Sequence, residues 1–143
     1  MKEEFKTIED VKRYLDERGI NPSYQRLKIY EWLLNNRTHP TVESIYKALL
    51  KEIPTLSKTT IYNTLNLFQQ HGLVNALTIE ENEVRYDINT EPHSHFKCKI
   101  CGKVIDLPIP EKLDVKELIP EEVKSNKVEE IHIYYKGKCA DCA

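Results

Sequence analysis

The sequence predicts an α+β protein in two parts: four helices and a β-hairpin, then a small strand-rich domain stapled by a metal ion. Three observations predict it. Capped segments with helical apolar spacing fill residues 7 to 72. Two strand-like runs follow them. All four cysteines then fall in two Cys-x-x-Cys pairs, Cys98/Cys101 and Cys139/Cys142.

Thr7 is placed to cap a first helix that runs to about Arg18, with Ile8, Val11, Tyr14 and Leu15 on one face and Gly19 as its stop. Pro22 and Ser23 open a second helix, to which Leu27, Ile29, Tyr30, Trp32, Leu33 and Leu34 give apolar weight; Trp32 reads as core. Pro40 and Thr41 open a third, with Val42, Ile45, Tyr46, Leu49 and Leu50 on its buried stripe, and Pro54 stops it. Ser57 caps a fourth. There Ile61, Leu65 and Phe68 form the inner face, Thr59, Tyr62, Asn63 and Asn66 fall outside, and Gly72 ends the helix.

Leu73 to Ile79 and Glu83 to Asn89 read as two strands joined by an acidic turn at Glu80–Asn82. Helices followed by a hairpin is the order of a winged helix-turn-helix, whose last helix enters a DNA major groove while the wing lies along the backbone. The outer residues of the fourth helix suit that task. Asn63 and Asn66 are amides of the kind that pair with adenine edges, Thr59 and Tyr62 reach phosphates or thymine methyls, and Lys58 lies at a helix N-terminus that already favours phosphate. The same residues would also make an ordinary solvated face.

Residues 88–92 (INTEP) read as a hinge, which divides the chain into domains 1–88 and 89–143. Beyond it, residues 95 to 98, 103 to 107 and 128 to 135 read as strands, and a short helix is expected around Lys112–Leu118 after Pro108 and Pro110. Ile131, Ile133 and Tyr135 alternate along the last strand and give it an apolar face suited to a second subunit.

Two Cys-x-x-Cys pairs supply four thiolates, the donor set of a closed tetrahedral zinc site. The competing reading is a pair of redox dithiols, for which the chain shows no thioredoxin-like context. A harder donor set accompanies the cysteines: His93 and His95, two apart in an extended segment, with Asp87, Asp106 and His39. Three imidazoles and two carboxylates suit Fe(II), Mn(II), Co(II) or Zn(II). From spacing alone, His93 and His95 could equally be a surface pair, and His39 and Asp87 could be caps.

The 143-residue chain carries a net charge of −2, which gives no support for crude electrostatic binding to nucleic acid. The charge is uneven. Residues 1–76 hold 11 Lys/Arg against 9 Asp/Glu, and residues 77–143 hold 10 against 14, so the first half is the better nucleic-acid face. The charged, amphipathic N-terminus carries no apolar signal region, no stretch approaches transmembrane length, and paired reduced thiols fit a cytoplasmic protein.

The runs THPTVESIYKALL, LSKTTIYNTLNLFQQHGLV, VRYDINTEPHSHFKCKICGKVIDLPIP and YYKGKCADCA resemble, in order and over nearly the whole chain, the ferric uptake regulator family. The resemblance implies a repressor with an N-terminal winged helix that binds double-stranded DNA and a C-terminal domain that forms a homodimer. It implies structural zinc at Cys98, Cys101, Cys139 and Cys142. It also implies a regulatory metal carried by His39, Asp87, His93, His95 and Asp106. Peroxide-sensing members of the family use two aspartates with three histidines there. Iron sensors typically carry glutamate at the position of Asp87 or Asp106, a longer histidine run before the first cysteine pair, and arginine after the recognition-helix tyrosine. Residues 91–95 read Glu-Pro-His-Ser-His and Tyr62 is followed by Asn63, so the chain is most like the peroxide-responsive branch. The resemblance then implies Fe(II) or Mn(II) at the regulatory site and, under peroxide, an oxygen gained by His39 or His93. His71 and His132 are read as non-ligands.

An iron or zinc uptake regulator of the same family is the nearest competing reading. A non-haem metal enzyme is weaker, because the chain is short and lacks a sheet large enough for a substrate pocket. A zinc-bound interaction module is a third.

Overall fold

The computed structural model describes residues 5–80, 82–123 and 125–143. The chain forms two compact units, Met1–Thr90 and Glu91–Ala143. Among the described residues no helix is long and apolar enough to cross a membrane.

The first unit holds α1 (Ile8–Glu17), α2 (Tyr24–Asn35), α3 (Val42–Leu49) and α4 (Lys58–Gln70), then β1 (Asn75–Leu77) and β2 (Arg85–Asp87). Each helix starts where a hydroxyl caps it. Thr7, Ser23, Thr41 and Ser57 accept from the backbone N–H of Asp10, Arg26, Ser44 and Thr60. At Thr7 and Thr41 the third residue also bonds back, which completes a capping box. Gly19 and Gly72 take left-handed φ values of 77° and 73° just past α1 and α4, which a side chain would strain.

The helices bury one shared core. Val11 and Leu15 of α1, Ile29 and Leu33 of α2, Ile45 and Leu49 of α3, and Ile61, Leu65 and Phe68 of α4 meet in it, with Trp32 half-buried against its edge. The helical spacing of the inner α4 residues is thus expressed as packing. Phe5, Tyr14, Tyr30 and Phe68 add edge-on and stacked ring contacts, and burial pushes the Tyr30 phenol far above its usual range. The wing pairs antiparallel, with Asn75 opposite Asp87 and Leu77 opposite Arg85. It is shorter than the expected seven-residue strands, and Glu81 of the expected turn lies outside the described residues.

The second unit holds β3 (Ser94–Cys98), β4 (Val104–Leu107) and β5 (Tyr134–Gly137) in a sheet of order β4-β3-β5. β3 pairs antiparallel with β4 and parallel with β5. Two expectations fail here. The strand expected at 128–135 is Tyr134–Gly137. Among the described residues β5 pairs with β3 alone, and its register sets His95 opposite Tyr134, so the residues before Ile133 run past the start of β3 and join no ladder there. Ile131 and Tyr135 remain exposed. The helix expected at 112–118 is a single 3-10 turn, Val115–Leu118, capped by Asp114 and followed by another at Glu121–Val123. Pro110 and Pro120 bracket it, and the residue before a proline is driven out of the helical region.

Candidate metal centres and nucleic-acid interface

The four cysteines converge. The parallel register of β3 and β5 sets Cys98 opposite Gly137, two residues short of Cys139. Each Cys-x-x-Cys then closes as a tight turn. Gly102 N–H donates to the Cys98 carbonyl at φ 77°, and Cys142 N–H donates to the Cys139 carbonyl. All four Sγ atoms lie within 4.8 Å of one another, and Cys101 Sγ is 3.8 Å from Cys139 Sγ. A zinc ion with Zn–S bonds of ~2.3 Å at tetrahedral angles requires sulfurs roughly 3.8 Å apart, so the donors fit that ion.

The fit extends to the surrounding amides. The N–H groups of Cys101 and Cys139 point at the Cys98 sulfur from 3.5 and 3.4 Å. They pull the Cys98 thiol down to about 6. Cys142 is pushed the other way, to about 12, by its hydrogen bond with Cys139, by burial and by its other sulfur neighbours. Four thiolates this close require a cation to coexist. The donor chemistry is that of a closed, structural zinc site.

The five harder donors fall into two groups, each gathered within its own unit. In the first unit His39 Nε2 lies 3.5 Å from Asp87 Oδ2, and both side chains are more than nine-tenths buried. His39 is the non-glycine residue with a positive φ, 55°, among the described residues. The wing holds it there. Tyr86 N–H donates to the Pro40 carbonyl, and the Arg85 guanidinium donates to the His39 carbonyl at 3.2 Å while pairing with Glu80. Asp87, last in β2, accepts from Asn89 N–H.

In the second unit β3 and β4 set His95 directly opposite Asp106, with Nε2 and Oδ1 3.2 Å apart. His93 reaches the same carboxylate oxygen at 3.4 Å, and the two imidazole centroids are 4.4 Å apart. His93 Nδ1–H donates to the Glu91 carbonyl, which leaves Nε2, the nitrogen beside Asp106, as the ring's metal-ligating atom. Both rings therefore serve one point, as their two-residue spacing implies. His71 bonds Leu67 at the end of α4 and lies apart from these groups. His132 pairs with Glu130 and Tyr134. Arg85 and Glu80, which position His39, escape sequence reading because Arg85 and His39 are 46 residues apart.

On α4, Thr59, Tyr62 and Asn63 are exposed, Tyr62 at 51%, whereas Asn66 is half-buried. Lys58 pairs with Glu43 of α3, which raises the lysine and lowers the carboxylate, and its ammonium lies 5.3 Å from the Tyr46 ring centroid. A phosphate contact by Lys58 therefore competes with Glu43.

The comparisons with known proteins agree with one another. The peroxide operon regulator of Bacillus subtilis (strain 168) is 38% identical over 129 residues, which span 90% of this chain and 88% of that protein. The peroxide-responsive repressor PerR of Staphylococcus aureus (strain Mu50) is 36% identical over 132 residues, 90% of this chain and 86% of its own. The structure of PerR from Streptococcus pyogenes, described as the basis of its peroxide sensing and gene regulation, matches at TM-score 0.53 and 29% identity, covering 97% of this chain and 95% of that one. The model of the ferric uptake regulator family matches residues 17–135. The chain belongs to the ferric uptake regulator family.

Proposed function

We propose that this chain is a metal-dependent transcriptional repressor that senses peroxide through a regulatory Fe(II)/Mn(II) site. The observation that carries the reading is its likeness, across nine-tenths of its length, to a peroxide operon regulator, in a chain that carries two aspartates and three histidines as hard donors. Residues 1–88 act as the winged-helix DNA-binding domain, with Lys58, Thr59, Tyr62, Asn63 and Asn66 on the duplex. Residues 89–143 act as the metal-binding and dimerisation domain. The exposed Ile131 and Tyr135, beside a strand with one free edge, support a homodimer. Members of this family are transcription regulators, and this chain works as one in the cytoplasm.

Cys98, Cys101, Cys139 and Cys142 hold zinc and fold the second unit. That site lies within one unit and is redox-inert, so it does not signal. The regulatory ion takes His39 and Asp87 from the first unit and His93, His95 and Asp106 from the second. Because its donors belong to both units, its binding shifts their equilibrium toward the arrangement that engages DNA. Moving such an equilibrium from 1:99 to 99:1 takes about 5.5 kcal/mol of differential binding.

Fe(II) held there would supply one-electron chemistry toward peroxide. His39 or His93, both among the donors, would gain the oxygen. An oxidised imidazole is a poorer donor, so the set would loosen and release the operator. Asp87 and Asp106 carry carboxylates one methylene shorter than glutamate, which changes the reach and denticity they would offer an ion.

Fluorescence anisotropy of an operator duplex tests the reading. Added Mn(II) or Fe(II) is expected to promote binding, and peroxide to abolish it for the Fe(II) form alone. Release by iron or zinc starvation with no response to peroxide would move the chain to the uptake-regulator branch. No metal-dependent duplex binding would remove the repressor reading altogether.

A further inference from the structure

A groove of about 550 Å³ runs between the first turn of α2 and the outer side of α4. Its α4 wall includes Thr60, Asn63, Asn66 and Gln70, and its α2 wall includes Gln25 and Arg26. Two of the residues expected on DNA, Asn63 and Asn66, therefore face a cleft shared with α2 and do not stand on an isolated ridge. Among the described residues no carboxylate lines the groove, in a chain whose acids outnumber its Lys and Arg by 23 to 21, and Arg26 is the one cation in its lining. Among the described residues its guanidinium pairs with no acid and donates instead to the Asn21 carbonyl at 3.0 Å. By contrast, Lys28 of α2 pairs with Glu31 and Glu52, and Lys58 of α4 pairs with Glu43.

We infer that this groove seats the sugar-phosphate backbone that flanks the major groove entered by α4, with Arg26 on a phosphate and Gln25 beside it. The inference rests on the DNA-binding reading above and adds a second contact surface to it. Amides and hydroxyls that donate hydrogen bonds, one uncompensated guanidinium and no acid are the chemistry of a phosphate track. The groove is continuous with the α4 face, so one duplex meets both. The Asn21 carbonyl accepts from Arg26 in the free protein and holds the side chain near its working position.

The test uses the full chain loaded with zinc and Mn(II), and a duplex enriched by the wild-type protein from a randomised pool. Arg26→Gln is expected to weaken binding about tenfold or more and to make the slope of log K against log salt shallower by about 0.9, one phosphate's worth. Arg26→Lys should keep most of the slope. Gln70→Glu, at the exposed end of α4, places a carboxylate in the groove without touching the core, and should weaken binding even if Arg26→Gln perturbs the start of α2. Unchanged affinity and slope in Arg26→Gln and Gln70→Glu, with binding lost in Tyr62→Ala, would overturn the inference and leave the repressor reading intact. Weaker binding with an unchanged slope would overturn the phosphate assignment. A wild-type protein that enriches no duplex would overturn both.

Discussion

Replacing Arg85 with Met tests how the first unit aims His39. The guanidinium makes two bonds, one to the Glu80 carboxylate and one to the His39 carbonyl, from a site where the Arg85 and Glu80 side chains are only 23% and 16% exposed. Charge-assisted bonds contribute about 1.5–3 kcal/mol each when shielded, and screening by the remaining solvent lowers that. A loss of roughly 2–3 kcal/mol is expected, because Glu80 is left half-buried without this cation. In a unit of this size about 1 kcal/mol moves the melting temperature by roughly 4–8 °C, so a drop of about 8–24 °C is expected for the first unit. His39 is held at φ 55°, a conformation that costs of order 1–3 kcal/mol. Released from Arg85, the loop can relax and carry the imidazole away from Asp87. Mn(II) affinity should then fall by about 10–100-fold, the usual cost of losing a residue that orients a metal ligand. Competition titration of Mn(II), beside a zinc assay, reads this directly. Mn(II) affinity within twofold of wild type, with the expected loss of melting temperature, would refute the claim that the wing aims His39.

Other outcomes follow from the same geometry. Cys98→Ser should release zinc and unfold the second unit, since structural zinc contributes apparent free energies of about 10–16 kcal/mol; Cys142→Ser, at a ligand less buried than Cys98, should be the milder of the two by zinc release and circular dichroism. His93→Ala or Asp106→Ala should leave zinc content and fold intact and abolish metal-activated DNA binding, and loss of zinc in the histidine variant would show the ligands to be wrongly partitioned. Ile61→Ala, at a side chain with no exposure beneath the recognition face, should cost about 2–5 kcal/mol in denaturant unfolding. Sedimentation at micromolar concentration should find a dimer, and a zinc-loaded monomer would remove the role given to the β5 face.

The helical half was legible because its signals are local. Ser57 as cap, Ile61, Leu65 and Phe68 on one face and Gly72 as stop describe α4 almost to the residue. The cysteine site was legible because the spacing within each pair fixes the turn, whatever separates the pairs. His93 and His95 were legible as a pair, since period-two spacing alone puts them on one side of a strand. The 128–135 strand was misplaced because strand length depends on the partner, and β3 begins only at Ser94. The short helix expected at 112–118 is only a 3-10 turn, because Pro120 follows closely on Pro110 and leaves too few residues between them for a helix to propagate. Arg85, Glu80 and the α2 wall of the groove had no local signal at all. Their roles arise from contacts between segments far apart in sequence, which periodicity does not encode.

Peptide mass spectrometry of the protein after peroxide treatment tests the central claim most directly. The Fe(II) form should gain one oxygen on the peptide containing His39 or the one containing His93, and lose DNA binding in step. The Mn(II) form should show neither change. Oxidation confined to Cys98, Cys101, Cys139 or Cys142, or no oxidation with DNA binding unchanged, would contradict peroxide sensing through the histidine and aspartate donors.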